Sequence, residues 1–255
     1  MPPALQFDHL YVVLVATRNP LNIGAAARAM SNLGFLQLRV VNPFAASFRE
    51  ARSAVGAATV LANAQEYGSV AEAVADCALV VGTTAVRHRD LQHPLKTPQH
   101  GAPIIHKSLR SRARVALLFG SEKRGLSNDD LSHCHWLMHI PTREEHVSMN
   151  LGQAVAVCLY ELVRDTGSVR QMSKSRAKQE TQSKPADAGE IERLTAMLLD
   201  ALRTSGYLGE RSVAAKGEKI RRMVRRLNLS TDDADLWLGM LRQMVWKMKP
   251  RDGDQ

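Results

Sequence analysis

The run Leu10-Tyr11-Val12-Val13-Leu14-Val15, followed by the polar loop Thr17-Arg18-Asn19-Pro20-Leu21-Asn22 and then Ile23-Gly24, decides the fold. Six apolar residues without alternation describe a strand buried on both faces, because a strand with one wet face would carry a polar residue at every second position. Similar runs recur at residues 38–41, 79–81 and 115–119, and residues 136–140 read as a further strand. Segments of helical character, rich in alanine, lie between them at 23–33, 51–64 and 70–76. Strands alternating with helices predict the α/β class, with a parallel sheet and helices on both faces. Residues 150–164 are apolar almost all round, which suits a helix in the core or at a subunit interface.

With 255 residues the chain can bury one sizeable core or two modest ones, and its 45% apolar content excludes pervasive disorder. No apolar run approaches the roughly 18 residues of a membrane span, and residues 1–8 lack a basic flank followed by an apolar run. A cytoplasmic protein that makes no membrane contact is expected. The three cysteines are odd in number and widely spaced, which argues against a disulfide framework or a thiol zinc site. The net charge of +9 fits a polyanionic partner, and residues 166–255 carry +6 of it. Composition also divides the chain. Residues 1–165 make the α/β domain, 166–189 hold few large apolar residues and read as a solvated linker, and 190–255 form a helical extension with helices at 191–204, 218–227 and 233–247.

Three motifs carry the chemistry. In the first, Asn22 stands where a helix cap is wanted, and Arg28 projects from the second turn beside the carboxyl edge of the sheet, where open α/β folds bind ligands. A capped helix with an ordinary surface arginine reads the same residues. The loop does not fit G-x-G-x-x-G, which removes a nicotinamide or flavin fingerprint here. In the second, the strand at 115–119 runs into Gly120-Ser121-Glu122-Lys123-Arg124-Gly125-Leu126-Ser127. A phosphate-cradling loop needs Lys after its second glycine, and Leu126 cannot supply that charge. Either the backbone approaches an uncharged nucleoside here, or this is a plain tight turn. In the third, Ile140-Pro141 is followed by His146-Val147-Ser148-Met149-Asn150-Leu151-Gly152-Gln153-Ala154, where Ser148 or Asn150 caps the long helix.

In order, Asn22-x-Gly24-x-x-x-Arg28, Phe119-Gly120-x-Glu122-x-x-Gly125-Leu126, and Ile140-Pro141 with Ser148-x-Asn150-Leu151-x-x-Ala154 resemble the three motifs of the SpoU branch of the SPOUT methyltransferases. The resemblance covers residues 8–164, and the helices beyond look like the extension of the bacterial tRNA (cytidine/uridine-32-2′-O)-methyltransferases. It implies a C-terminal trefoil knot in the sheet domain and a homodimer with active sites at the interface. It also implies S-adenosylmethionine held by backbone around Thr83, Thr84, Ala85, Gly120, Ile140, Val147, Ser148 and Met149. Arg28 matches the catalytic arginine, with Asn22, Glu122, Ser148 and Asn150 around it. The common motif has small or apolar residues where this chain has Gly152 and Gln153.

The reaction so implied is methyl transfer to a ribose hydroxyl, most directly at nucleotide 32 of the anticodon loop. An arginine, with a pKa above about 12, is a poor general base, so Arg28 is expected to stabilise developing alkoxide charge and grip the adjacent phosphate. For RNA capture the candidates are Arg18 and Arg28, together with Lys219, Arg221, Arg222, Arg225 and Arg226 on a helix whose apolar stripe is Ile220, Met223, Val224 and Leu227. His133, Cys134, His135, His139 and His146 match no zinc spacing, and no metal is expected. Two other readings stay open: a ribosomal RNA substrate, and an RNA-binding protein of this fold that transfers nothing.

Overall fold

The computed structural model describes residues 7–43, 54–85, 92–164, 184–209 and 213–248. Seven strands form one sheet: β1 (Leu10–Val15), β2 (Gln37–Val41), β3 (Gln65–Tyr67), β4 (Leu79–Thr83), β5 (Leu95–Lys96), β6 (Val115–Phe119) and β7 (Trp136–Met138). Their order is β3-β2-β1-β6-β4-β7-β5, and every pairing is parallel. β1 is central and wholly buried, as its unbroken apolar run requires. Leu10, Val12 and Leu14 enter the core on one face; Tyr11, Val13 and Val15 enter the core on the other.

The first face is covered by α1 (Pro20–Leu33), α2 (Ala58–Ala62), α4 (Pro98–Arg110) and α6 (Leu151–Arg164). The second carries α3 (Val70–Val74) and α5 (Asn128–Ser132). Helix α1 starts three residues before the expected place. Asn19 is its cap, accepting the Leu21 N–H at 3.0 Å, because Pro20 is preset for the first helical position and has no N–H to satisfy. Asn22 is thereby released for another use. Of the helix expected at 51–64 only α2 is seen; Gly56, at φ +75°, breaks the segment ahead of it, and residues 51–53 lie outside the described residues. Helix α4 escapes the periodicity reading because Pro98, Gly101 and Pro103 sit inside it. Gly101 is required there, since a Cβ would come within 2.6 Å of the Trp136 ring.

Three helices follow: α7 (Ala188–Thr204), α8 (Val213–Arg226) and α9 (Thr231–Met248). Most of the expected linker, residues 166–183, lies outside the described residues. The three helices share a small core of Ile191, Leu194, Val224, Ala234, Leu241 and Val245. They dock on the second face of the sheet, where the Ala188 N–H donates to the Cys77 carbonyl at 2.9 Å and the Gly189 N–H to Ala75 at 2.7 Å. No helix among the described residues is long and apolar enough to cross a membrane.

One buried charge pins the second face. Arg39, 3% exposed, lies 3.7 Å over the Tyr11 ring and donates to the Ala73 carbonyl at 2.7 Å and to both oxygens of Asp76 at 2.6 and 2.8 Å. Burial pushes the Asp76 carboxyl upward, but the bonds and charge of Arg39, with Arg114 beyond, outweigh it and hold the pKa at about 2. A carboxyl lowered in the fold contributes stability above its unfolded value of 3.8 and loses it as pH falls toward about 2. Asp76→Asn should therefore be less stable than the parent at neutral pH, and the gap should close between pH 4 and pH 2. Urea midpoints measured across that range check this.

Candidate active site

A cleft of about 510 Å³ opens at the carboxyl ends of β4, β6 and β7. This is the edge at which parallel sheets bind ligands, because loops and helix starts converge there. β4 delivers Thr83, Thr84 and Ala85, β6 delivers Gly120, and β7 delivers Ile140; the loop before α6 adds Val147, Ser148 and Met149. All eight residues expected to hold the cofactor thus line one cleft. The strand ends are tied to one another: Thr83 Oγ1 donates to the Leu118 carbonyl at 2.8 Å, and the Thr84 N–H to Met138 at 2.9 Å.

The second glycine loop folds back on itself. The Gly125 N–H donates to the Ser121 carbonyl at 2.8 Å, and Gly125 sits at φ +67°. A Cβ on Gly120 would lie 2.1 Å from the backbone of Gly125 and Leu126, so no larger residue fits without opening the loop. Leu126 turns inward, 2% exposed, against Gly82 of β4. The position that a phosphate loop gives to lysine is spent here on packing.

Glu122 joins the motifs. Its carboxylate accepts the Arg18 N–H at 3.3 Å, the Asn19 N–H at 3.4 Å and Asn22 Nδ2 at 2.8 Å. Asn22 Oδ1 in turn accepts from Asn150 Nδ2 at 3.1 Å, and Asn150 Oδ1 accepts the Gly152 N–H at 2.9 Å at the start of α6. Asn150 therefore caps α6 while reaching α1, and Asn22 bridges α1 to the second loop. Burial raises the Glu122 carboxyl, but the bonds from Asn22 and the backbone outweigh it and hold the group below the ordinary carboxylate range. It is a fixed anion at neutral pH and correspondingly a weak base. Gly152 also answers the departure from the common motif. A Cβ there would sit 2.8 Å from the Ala25 Cβ, so glycine permits the close approach of α1 and α6, while Gln153 points to solvent.

Two expectations need correction. Arg28 does not line this cleft. It lies on the exposed face shared by α1 and α6, beside Ala25, Ala29, Ala156, Val157 and Tyr160. Six residues separate it from Asn22, which at 3.6 residues per turn places the two about 120° apart around the helix. The expected surface stripe of α8 is also rotated. Met223 and Leu227 are 44% and 52% exposed, whereas Arg225 is 2% exposed and faces Glu192. Arg221 bonds Glu192 and Asp129, and Arg222 pairs with Glu218. Carboxylates from α5 and α7 draw Arg221 and Arg225 inward, a pairing that no helical periodicity reveals. Lys219 and Arg226 remain exposed, as does Arg18. His133 and His135 are enclosed and neutral, each lowered to about 3 first by burial and then by Arg225.

The lining of the cleft describes what it can hold. Its floor is apolar, with Phe119, Leu126, Leu131, Met138, Ile140 and Leu151, and its rim carries hydroxyls of Thr83, Thr84, Ser121 and Ser148. The charged side chains of the lining, Glu122, Lys123 and Arg124, all come from one loop. An uncharged adenosyl group fits such a floor; a triphosphate does not. The model of the SpoU rRNA Methylase family matches residues 9–160. The chain belongs to the SpoU methylase family. It is an S-adenosylmethionine-dependent RNA 2′-O-methyltransferase.

The similarity extends past the SpoU domain into the helical extension. A tRNA (cytidine/uridine-2′-O-)-methyltransferase TrmJ of Sodalis glossinidius is 34% identical over 245 residues, 95% of this chain and 93% of the relative. A tRNA (cytidine/uridine/adenosine-2′-O-)-methyltransferase TrmJ of Pseudomonas aeruginosa is 34% identical over 241 residues, 92% of this chain and 93% of the relative. The crystal structure of TrmJ from Z. mobilis ZM4 superposes with a TM-score of 0.79 at 31% identity, covering 92% of this chain and 98% of that one.

The Asn150-Asn22-Glu122 chain makes a direct prediction for this SpoU site. Asn22→Asp would turn the 2.8 Å donor contact into two facing carboxylates, at a cost of roughly 1 to 3 kcal/mol. Urea unfolding should register the loss, and the Glu122 resonance should titrate at higher pH than in the parent.

Proposed function

We propose that the protein methylates the ribose 2′-hydroxyl of a tRNA nucleotide, at position 32 of the anticodon loop. The observation that carries this reading is the convergence of the three motifs on one cleft, tied by the bonds among Asn150, Asn22 and Glu122. The tRNA substrate is supported by relatives whose match runs through the helical extension as well as the SpoU domain. Position 32 rests on the resemblance of the extension to that of the bacterial tRNA (cytidine/uridine-32-2′-O)-methyltransferases. A ribosomal RNA substrate is the rival outcome. The setting is taken to be the cytoplasm.

Thr83, Thr84, Ala85, Gly120, Ile140, Val147, Ser148 and Met149 would hold the cofactor against the apolar floor. S-adenosylmethionine, when bound, supplies an electrophilic methyl on a positively charged sulfur. The protein's own part is to align a ribose oxygen with that methyl and to exclude water, since a dry cleft favours loss of charge in the transition state. Glu122, Asn22 and Asn150 fix the loops that do so, and Ser148 offers a hydroxyl on the rim. A trefoil knot between β6 and α6 would hold the second and third loops together, so that neither can open alone.

The α1–α6 face supports a homodimer. Ala25, Ala29, Val157 and Tyr160 leave an apolar surface, with Val157 38% and Tyr160 55% exposed and Arg28 at its edge. A second copy laid on that face would bring its own Arg28 toward the first copy's cleft. Arg28 then stabilises alkoxide charge and grips the neighbouring phosphate, while Arg18, Lys219, Arg222 and Arg226 meet RNA further out.

Two experiments test this reading. Labelled S-adenosylmethionine given with separate tRNA and ribosomal RNA pools should label tRNA alone, on ribose at position 32; label on bases, or on ribosomal RNA alone, overturns it. Arg28→Ala and Gly120→Val chains should each be nearly inactive, by about 100-fold or more for a lost charge-stabilising group. Mixed, they should regain activity if Arg28 acts across the dimer, and stay inactive if it serves its own chain.

A further inference from the structure

The helix α5 has five residues, too few to hold its own shape, yet its Leu131 lines the cleft. Its cap, Ser127, ends the glycine loop through a reciprocal pair with Asp130: Asp130 N–H to Ser127 Oγ at 3.1 Å, and Ser127 N–H to Asp130 Oδ2 at 2.8 Å. Leu126, just before the cap, and Leu131, in the last turn, both line the cleft. Whatever fixes α5 therefore fixes the floor on which the adenosyl group would rest.

The helical extension supplies that anchor. Arg221 of α8 donates from Nη1 to Asp129 Oδ1 at 3.2 Å and to Ser132 Oγ at 3.0 Å, so that one guanidinium holds both ends of α5. Its Nε reaches both oxygens of Glu192 on α7 at 3.1 Å. Beside it Arg225 is enclosed near His133 and Cys134, with Glu192 at 3.9 Å, and its Nε and Nη1 have no hydrogen-bond partner among the described residues. A charge so buried is costly unless an opposite charge is held close to it, here Glu192. The junction is thus built from paired charge, unlike a loose linker contact.

We propose that Arg221 is a positioning residue for the cofactor cleft: it clamps α5 to the helical extension and so holds Leu126 and Leu131 in place for the adenosyl group. The extension then serves the cofactor as well as the RNA. This rests on the reading of the cleft given above. It differs from a phosphate contact by Arg221 in a way that lysine discriminates. A lysine at 221 would keep the charge that a phosphate needs, but a single ammonium cannot span Asp129, Ser132 and Glu192 together as the planar fork does.

The test is calorimetric titration of the full-length protein with S-adenosylhomocysteine, beside tRNA binding at two salt concentrations. Arg221→Ala and Arg221→Lys should both weaken S-adenosylhomocysteine by about tenfold, which corresponds to roughly 1.4 kcal/mol. Their tRNA affinity and its salt dependence should match the parent. Asp129→Asn, at a 70% exposed position, should weaken it less and in the same direction, and serves if Arg221→Ala does not fold. Parent-like S-adenosylhomocysteine binding in all three variants overturns the proposal. So does a loss of tRNA affinity in Arg221→Ala that Arg221→Lys restores. A parent protein that binds no S-adenosylhomocysteine would overturn the cleft reading itself, a result separable from either.

Discussion

The carboxylate of Glu122 is the point at which the site holds together. The backbone just ahead of α1 turns its N–H groups toward the second loop, where a helix start has donors unsatisfied and favours negative charge. Glu122 takes the Arg18 and Asn19 donors and the Asn22 amide in one grip. Because Asn22 passes the connection to Asn150, the loop after β6 and the start of α6 are located by the same group. Segments around residues 18–22, 122 and 150 are tied through one anion, Asn150 reaching it by way of Asn22.

This arrangement explains why the motifs contain asparagines where stronger acids or bases would serve chemistry better. An amide donates with one atom and accepts with another, so Asn22 can face a carboxylate on one side and an amide on the other without a change of charge. The cost is a carboxylate with little basicity, poorly suited to take the proton of a ribose hydroxyl. Glycines do the complementary work. Gly120 lets the loop close on its own backbone, and Gly152 lets α6 meet α1 at Ala25. A methyl at either position would move the walls of the cleft.

Charge in the helical extension is used twice. Arg221 and Arg225 turn toward the SpoU domain and join it, while Lys219 and Arg226 remain on the surface. Arg39 does similar work on the same side of the sheet, over Tyr11 and against Asp76. Arg39 and Arg221 are placed where a planar fork can satisfy several acceptors at once, which a lysine could not do.

The sequence by itself determined the α/β class and five of the seven strands and, through the resemblance of its motifs, the family and the membership of the cleft. Unbroken apolar runs mark doubly buried strands, and glycine, proline and serine at fixed spacings mark the loops that end them; these are local properties, written in consecutive residues. Thr83, Gly120, Ile140 and Ser148 are named through the resemblance of those loops to the SpoU motifs. Direction was decided only by the tertiary structure. Pro20 moved the start of α1 and so gave Asn22 to Glu122 instead of to a cap. Helix phase turned Arg28 onto the α1–α6 face. Asp129 and Glu192, distant in sequence from Arg221 and Arg225, drew those side chains inward against the apolar periodicity of their own helix. A charge reads as solvent-facing in one dimension because its partner is invisible there, and only the packed chain brings the partner within reach.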